Sequence, residues 1–506
     1  MLDAPHIPFI PGQIILFGHP HRLDMLLGER PDVGEREGPL PERDAPRPRA
    51  LRLLARSQFQ LSIPSDKEQG LLPSLPQPEL RELRLYHIEE EEAPLLDFLR
   101  GRRQTFQDVI IERNYFTRAI PWTGAGSPWT GAGSPWTGAG SPWTGAGSPW
   151  TGAGSPWTVG GSPWTVGGSP WLEMQNQGGE FLRKRAEQLF SKQWAFGAAG
   201  VDAHALLVRR TPEQKDGEGV VVGVFDTSPF PVPFTSVTLD MPPAPLTLSL
   251  KHPIPGGAPG GCSGLAANHG FFVAGLIHAL APAADIQLIR VLDDSAQGNL
   301  FTLVASLYEF ISGLPKHQRA VINLSLGFVG SDVAGEEDWD GPDLLRDALE
   351  RAYRKNIVTV AAAGNENDGS EEDLPAEFPA RWEFVVGVAA SDSKKRRACF
   401  SNQGDVMAPG GSGLKNCLPP AGRCHDGDCP YTLISLNVAS YTGYGYGIGT
   451  SFAAPLVSGL AARLQASLEE IATGIDPNQP AAGSETVISL LQQAAAANDG
   501  VIRASA

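Results

Sequence analysis

Between residues 219 and 389 short apolar runs alternate with longer stretches of helical period, and this rhythm constrains the fold more than any other feature of the sequence. The strand candidates are Gly219 to Phe225, Ile286 to Leu292, Ala320 to Leu324, Ile357 to Ala362 and Phe384 to Ala389. Several are continuously apolar, as strands buried on both faces must be; a strand with one wet face would alternate. Helical patterns at Asn299 to Leu314 and Asp343 to Lys355 lie between them. Strand, helix, strand in this order predicts an α/β fold on a mainly parallel sheet with helices on both faces. Ligands of such folds bind at the carboxyl ends of the strands.

Chemistry-bearing residues sit at those ends. Asp226 closes the first strand, and Asn365 follows Ile357 to Ala362 through Ala363 and Gly364. His269 opens the apolar helix-like run Phe271 to His278. Ser451 lies in Gly449-Thr450-Ser451-Phe452-Ala453-Ala454-Pro455, between a glycine turn and a helix-like segment. Taken singly, each has a plain structural explanation: a turn former, a turn asparagine, a core histidine, a helix N-cap. Together they supply what a serine nucleophile needs. The weakly acidic hydroxyl requires a base, for which His269 is the candidate. The imidazole needs a fixed tautomer and a countercharge, which Asp226 can provide. The tetrahedral oxyanion needs donors, for which the Asn365 amide and the Ser451 backbone N–H are candidates.

The order Asp, His, Ser, with these surroundings, resembles the subtilase family of serine peptidases. Val222 to Thr227 resembles its aspartate motif, His269 to Gly275 its histidine motif and Gly449 to Pro455 its serine motif. Ala361 to Asn365 is similar to its oxyanion segment, and Val406 to Gly410 to a further family segment. The resemblance implies a serine endopeptidase with Asp226, His269 and Ser451 catalytic and Asn365 at the oxyanion. Ser325, Leu326 and Gly327 would pair with the substrate backbone, and Ala362, Ala363 and Gly364 would wall the pocket for the side chain before the cut. Glu366 would stand near the rim, where an acidic group suits Lys or Arg. Three departures bear on turn geometry and substrate preference: Ser228 for the usual glycine, Phe271 and Phe272 for Thr-His, and Phe452 for methionine. The family requires no cofactor; structural calcium is compatible with the resemblance, and no site for it is identified.

Residues 1–120 read as a small α+β unit, with strands at Gln13 to Phe17, Leu83 to Ile88 and Asp108 to Arg113 and a short helix at Pro94 to Leu99. The run Asp108 to Phe116 resembles the end of a subtilase propeptide, which makes the segment an inhibitory, fold-assisting prodomain. Residues 121–171 repeat Pro-Trp-Thr-Gly-Ala-Gly-Ser and a Val-Gly-Gly variant. One large apolar residue per seven among Gly, Pro and Ser makes no helical seam, so a linker is expected. Its eight tryptophans, Trp122 to Trp171, leave a weak multivalent docking strip as a second reading. Residues 172–506 are the peptidase-like domain.

The net charge of -16 argues against nucleic acid or an anionic membrane as a main partner. The expected partners are a protein or peptide substrate, the chain's own prodomain and a regulatory protein. Five cysteines and an N-terminus without a basic and apolar leader read as cytoplasmic. Cys417, Cys424, His425 and Cys429 match no common zinc spacing, which favours free thiols over a metal site. An α/β-hydrolase esterase fails on order, since no histidine follows Ser451. The remaining rival is a non-catalytic binding protein of the same fold, suggested by Ser228 and by the phenylalanines next to His269.

Overall fold

A computed structural model describes residues 9–27, 51–62, 78–88, 99, 108–119, 187–196, 216–230, 232–253, 266–328, 341–367, 374–411, 432–437, 443–467 and 482–496. The repeats, the 417–429 cysteine cluster and all but one residue of the helix expected at Pro94 to Leu99 lie outside these residues. Contacts divide the chain into two units. The first joins Met1–Phe116 to Asn299–Leu314 and Asp332–Ala348; the second comprises Thr117–Gly298, Pro315–Ser331 and Leu349–Ala506.

The first unit is built on strands β1 (Phe9–Gly18), β2 (Leu51–Ser62), β3 (Pro78–Ile88) and β4 (Ile110–Ala119, through Phe116 in this unit). They pair antiparallel in the order β2-β3-β1-β4. Successive residues of β1 point to opposite faces, and both faces are covered. Ile14 and Leu16 join Leu23 and Leu26 of the helix Pro20–Leu27 in one core. Phe17, on the opposite face, stacks on Tyr308 of the helix Leu300–Gly313 with ring centroids 4.9 Å apart. Side chains of β4 cap two helix starts, where backbone N–H groups lack intrahelical acceptors. Asn114 Oδ1 accepts from Phe301 N at 3.0 Å, and the Glu112 carboxylate accepts from Asp343 N and Leu344 N, each at 3.0 Å. Glu82 is fully buried and accepts hydrogen bonds from Arg56, Gln58 and Arg84. Of the three strands expected from the sequence, Gln13 to Phe17 and Leu83 to Ile88 fall within β1 and β3, and Asp108 to Arg113 overlaps β4, which starts two residues later and runs on to Ala119; β2 was not expected.

The second unit holds β5 (Val220–Asp226), β6 (Ser236–Leu239), β7 (Leu246–Lys251), β8 (Asp285–Arg290), β9 (Gln297–Asn299, whose last residue falls in the first unit), β10 (Arg319–Leu324), β11 (Leu326–Phe328), β12 (Ile357–Ala362), β13 (Val386–Ser391), β14 (Val406–Pro409), β15 (Leu433–Leu436) and β16 (Tyr444–Gly447). Eight of these form one sheet in the order β14-β13-β12-β10-β5-β8-β7-β6. Every pair is parallel except β6 with β7. β12 and β13 are buried at every position, which accounts for their uninterrupted apolar sequences. The helices His269–Leu280 and Thr450–Ser467 are apolar on all sides and buried almost throughout, so they are interior elements. Phe272, Leu276, Leu456 and Val457 from these helices share one core with Val222, Val224, Val321 and Val360 from the strands. Cys399 is disulfide-bonded, which the cysteine count gave no reason to expect.

Candidate active site

The sheet order explains how residues far apart in sequence meet. β5 lies between β10 and β8 near the middle of the sheet, so Asp226 at its carboxyl end is central and fully buried. The backbone N–H of Thr227 donates to Asp226 Oδ1 at 2.6 Å, orienting the carboxylate. The Thr227 hydroxyl donates toward the carbonyls of Ala266 and Ala267 and accepts from Gly270 N at 3.1 Å, tying the turn after β5 to the start of the histidine helix. A side chain at Gly270 would place its Cβ 2.3 Å from Thr227 O and 2.7 Å from Asp226 Cβ, so this close approach requires glycine.

His269 stands within reach of both its expected partners. Its Nδ1 lies 2.8 and 2.9 Å from the two Asp226 carboxylate oxygens, and its Nε2 lies 2.9 Å from Ser451 Oγ. Because a carboxylate only accepts, Nδ1 carries the proton, and the Nε2 lone pair faces the serine hydroxyl. Ser451 is the second residue of the helix Thr450–Ser467, at the end where unpaired N–H groups make the potential positive. Asn365 Oδ1 accepts from Thr450 N at 3.0 Å. The amide oxygen is thereby engaged at the start of the serine helix. Gly364, with φ +117, makes the turn from β12 to Asn365.

The three departures from the family pattern prove to be packing solutions. Ser228 Oγ accepts from Phe230 N at 3.3 Å, and Phe230 meets Phe271 edge to face at 5.1 Å. The Phe452 ring lies 4.4 Å from Phe272 and 5.1 Å from the His269 imidazole. The missing Cβ of Gly447 makes room for Phe452, since one there would lie 2.5 Å from that ring. None of these residues displaces a member of the Asp-His-Ser set.

Ser325, Leu326 and Gly327 divide into two jobs. The Ser325 hydroxyl accepts from Asn323 Nδ2 at 3.0 Å and donates to the Ser451 carbonyl at 2.8 Å, while Ser458 donates to Asn323 Oδ1 at 2.8 Å. This buried chain of polar groups straps the serine helix to β10. The backbone of β11 is already paired: antiparallel to it run the last residues of β4, with Leu326 facing Ala119, Gly327 facing Arg118 and Phe328 facing Thr117. On its other side Ala119 N donates to Ala296 O at 3.1 Å. Residues 117–119 therefore lie as a peptide strand between two chain edges. Arg118 reaches the Glu366 carboxylate at 2.8 Å and that of Glu377 at 3.6 Å. Glu377 N donates to Ala363 O at 2.8 Å, which adjoins this carboxylate to the wall formed by Ala362, Ala363 and Gly364. Glu377 was not foreseen; a lone acid between Ala376 and Phe378 carries no motif. Among the described residues no group of three or more His, Cys, Asp or Glu is placed to hold a metal ion, and no helix is long and apolar enough to cross a membrane.

Comparison with known proteins identifies the family. The model of the subtilase family matches residues 217–503, more than half of the chain. The chain belongs to the subtilase family. It is 33% identical to Subtilisin DY of Bacillus licheniformis over 207 residues, 38% of this chain and 62% of that protein. It is 31% identical to Subtilisin E of Bacillus subtilis (strain 168), covering 38% of this chain and 45% of the relative. A thermostable alkaline protease of Halalkalibacterium halodurans is 32% identical over 209 residues, 38% of this chain and 46% of its own. The chain thus spans less than two thirds of these relatives.

Proposed function

We propose that the protein is a serine endopeptidase that hydrolyses peptide bonds of protein substrates through an acyl-enzyme intermediate. The observation that carries the reading is the unbroken hydrogen-bonded series Asp226, His269, Ser451. His269 Nε2 takes the proton from Ser451 Oγ as that oxygen attacks the scissile carbonyl carbon. The Asn365 NH2 and the Ser451 N–H stabilise the resulting oxyanion. His269 returns its proton to the leaving amine, and water, activated by the same base, then releases the acyl group. The strand of residues 117–119 along β11 supports a polypeptide substrate, because it uses the main-chain pairing an extended peptide would use.

The same strand supports production as an autoinhibited zymogen, with residues 1–120 as the propeptide, and cleavage between about Arg118 and Glu187. Residues 121–171 then serve as tether and processing region. Whether a regulatory protein displaces the propeptide is a further part of this reading. On the compartment, the cytoplasmic reading has the Cys399 disulfide against it, a bond that oxidising compartments favour.

A fluorophosphonate probe separates this reading from that of a non-catalytic binding protein. Labelling of the folded, processed chain is expected, together with its loss and an unprocessed chain in Ser451→Ala. An unlabelled folded and processed sample would refute the enzyme.

A further inference from the structure

We propose that Glu366 and Glu377 form an arginine-recognising subsite, so that the enzyme prefers substrates with arginine within three residues on the N-terminal side of the cut. The proposal rests on the endopeptidase reading for its substrate and on the geometry around Arg118 for its chemistry.

Two carboxylates converge on one guanidinium. Arg118 Nη2 lies 2.8 Å from Glu366 Oε1 and 3.6 Å from Glu377 Oε1. The arrangement is enclosed at Arg118, 4% exposed, and Glu377, 1% exposed, while the Glu366 side chain is half-buried at its edge. In such surroundings charge pairs are screened little by water, and a carboxylate deprived of its cation is left at a high free energy. The acidic groups are also pre-set. Glu366 Oε2 accepts from Asn365 N at 2.7 Å and from Asn402 Nδ2 at 3.1 Å, which leaves Oε1 directed at the arginine. Glu377 is anchored through its own N–H to Ala363 O. Both contacts run through Nη2, and the always-charged, weakly hydrated guanidinium is better suited than a lysine ammonium to an ion pair taken out of water.

Register fixes where the arginine belongs in a substrate. Arg118 faces Gly327 and Ala119 faces Leu326, so a peptide in the same register brings its next residue to Ser325. The Ser325 hydroxyl is bonded to the Ser451 carbonyl. The arginine thus precedes the nucleophile's segment by two residues along the strand. When residues 117–119 leave the groove, the Arg118 guanidinium leaves with them, and an arginine-bearing substrate takes its place beside Glu366 and Glu377.

Two measurements test the subsite, one independent of activity. In the full-length Ser451→Ala chain, Arg118→Met should speed amide hydrogen exchange at Gly327, which faces Arg118 across the strand pair, at least about tenfold, the usual worth of a charged hydrogen bond, with Arg118→Lys between the two. Unchanged exchange would overturn the subsite whatever the activity. In the processed enzyme, peptides differing only by arginine or citrulline at each of the three positions before the cut should show a kcat/KM ratio of about ten or more at one of them. That ratio should narrow in Glu377→Gln. A ratio near one in an enzyme that still takes the fluorophosphonate label would overturn the subsite and leave the endopeptidase reading intact. Faster exchange in a protein that neither labels nor cleaves would uphold arginine binding and sink the peptidase reading instead.

Discussion

Replacing Phe452 with alanine tests whether the residue after the nucleophile is a packing element, as its surroundings indicate. The side chain is 1% exposed and wedged between Phe272, His269 and Gly447. A buried phenylalanine removes roughly 200 Å² from water, worth about 5 kcal/mol at 25 cal/mol per Å² as an upper bound. Alanine keeps part of that and leaves a cavity, so the expected loss is about 3–5 kcal/mol. Phe452→Met, which refills most of the volume with a flexible side chain, should cost less than about 1.5 kcal/mol. The assay is urea unfolding of both variants in a Ser451→Ala background, which removes self-digestion. If alanine costs less than about 1 kcal/mol, well below the range for an enclosed ring, the ring is not packed as described and the reasoning fails.

The remaining predictions concern charge and the oxyanion. Burial alone pushes the Glu82 carboxyl up, but hydrogen bonds from Arg56, Gln58 and Arg84 together with the Arg84 charge outweigh it, and the net shift is downward from an ordinary value of 4.5. A lowered folded value means stability that is fully present above the unfolded value and is lost as pH falls through the folded one. The first unit should therefore weaken in acid, below about pH 4.5, and Glu82→Gln should flatten that part of a melting-temperature profile against pH. Asn365→Ala should lower kcat by about 10²–10³, the loss characteristic of subtilases, with KM little changed. A rise in KM with kcat unchanged would instead assign the amide to ground-state binding.

Much of the site was legible because its chemistry sits at strand ends and helix starts. Asp226, His269, Asn365 and Ser451 could be found from order and setting, and the uninterrupted apolar runs disclosed the strands of the large sheet. Long-range partners were not legible. The bonds from Ser458 to Asn323 and from Ser325 to Ser451 join residues 135 and 126 apart in sequence, and nothing local announces them. Glu377 escaped for the same reason, since only folding brings it to Arg118. Phe271, Phe272 and Phe452 were visible as departures, yet their mutual packing was not. β2 was missed because its apolar positions are diluted by Arg52, Arg56, Gln58 and Gln60 and adjoin a Pro- and Arg-rich stretch.

The strap from Ser458 through Asn323 and Ser325 to Ser451 bears on how this fold can diversify. It fixes the nucleophile from the sheet side, through groups that are all fully buried. These bonds hold the serine to the sheet independently of the chain that precedes its helix. A nucleophile anchored from within the sheet can keep its place while side chains around the scissile bond are exchanged, so position and selectivity are open to separate change.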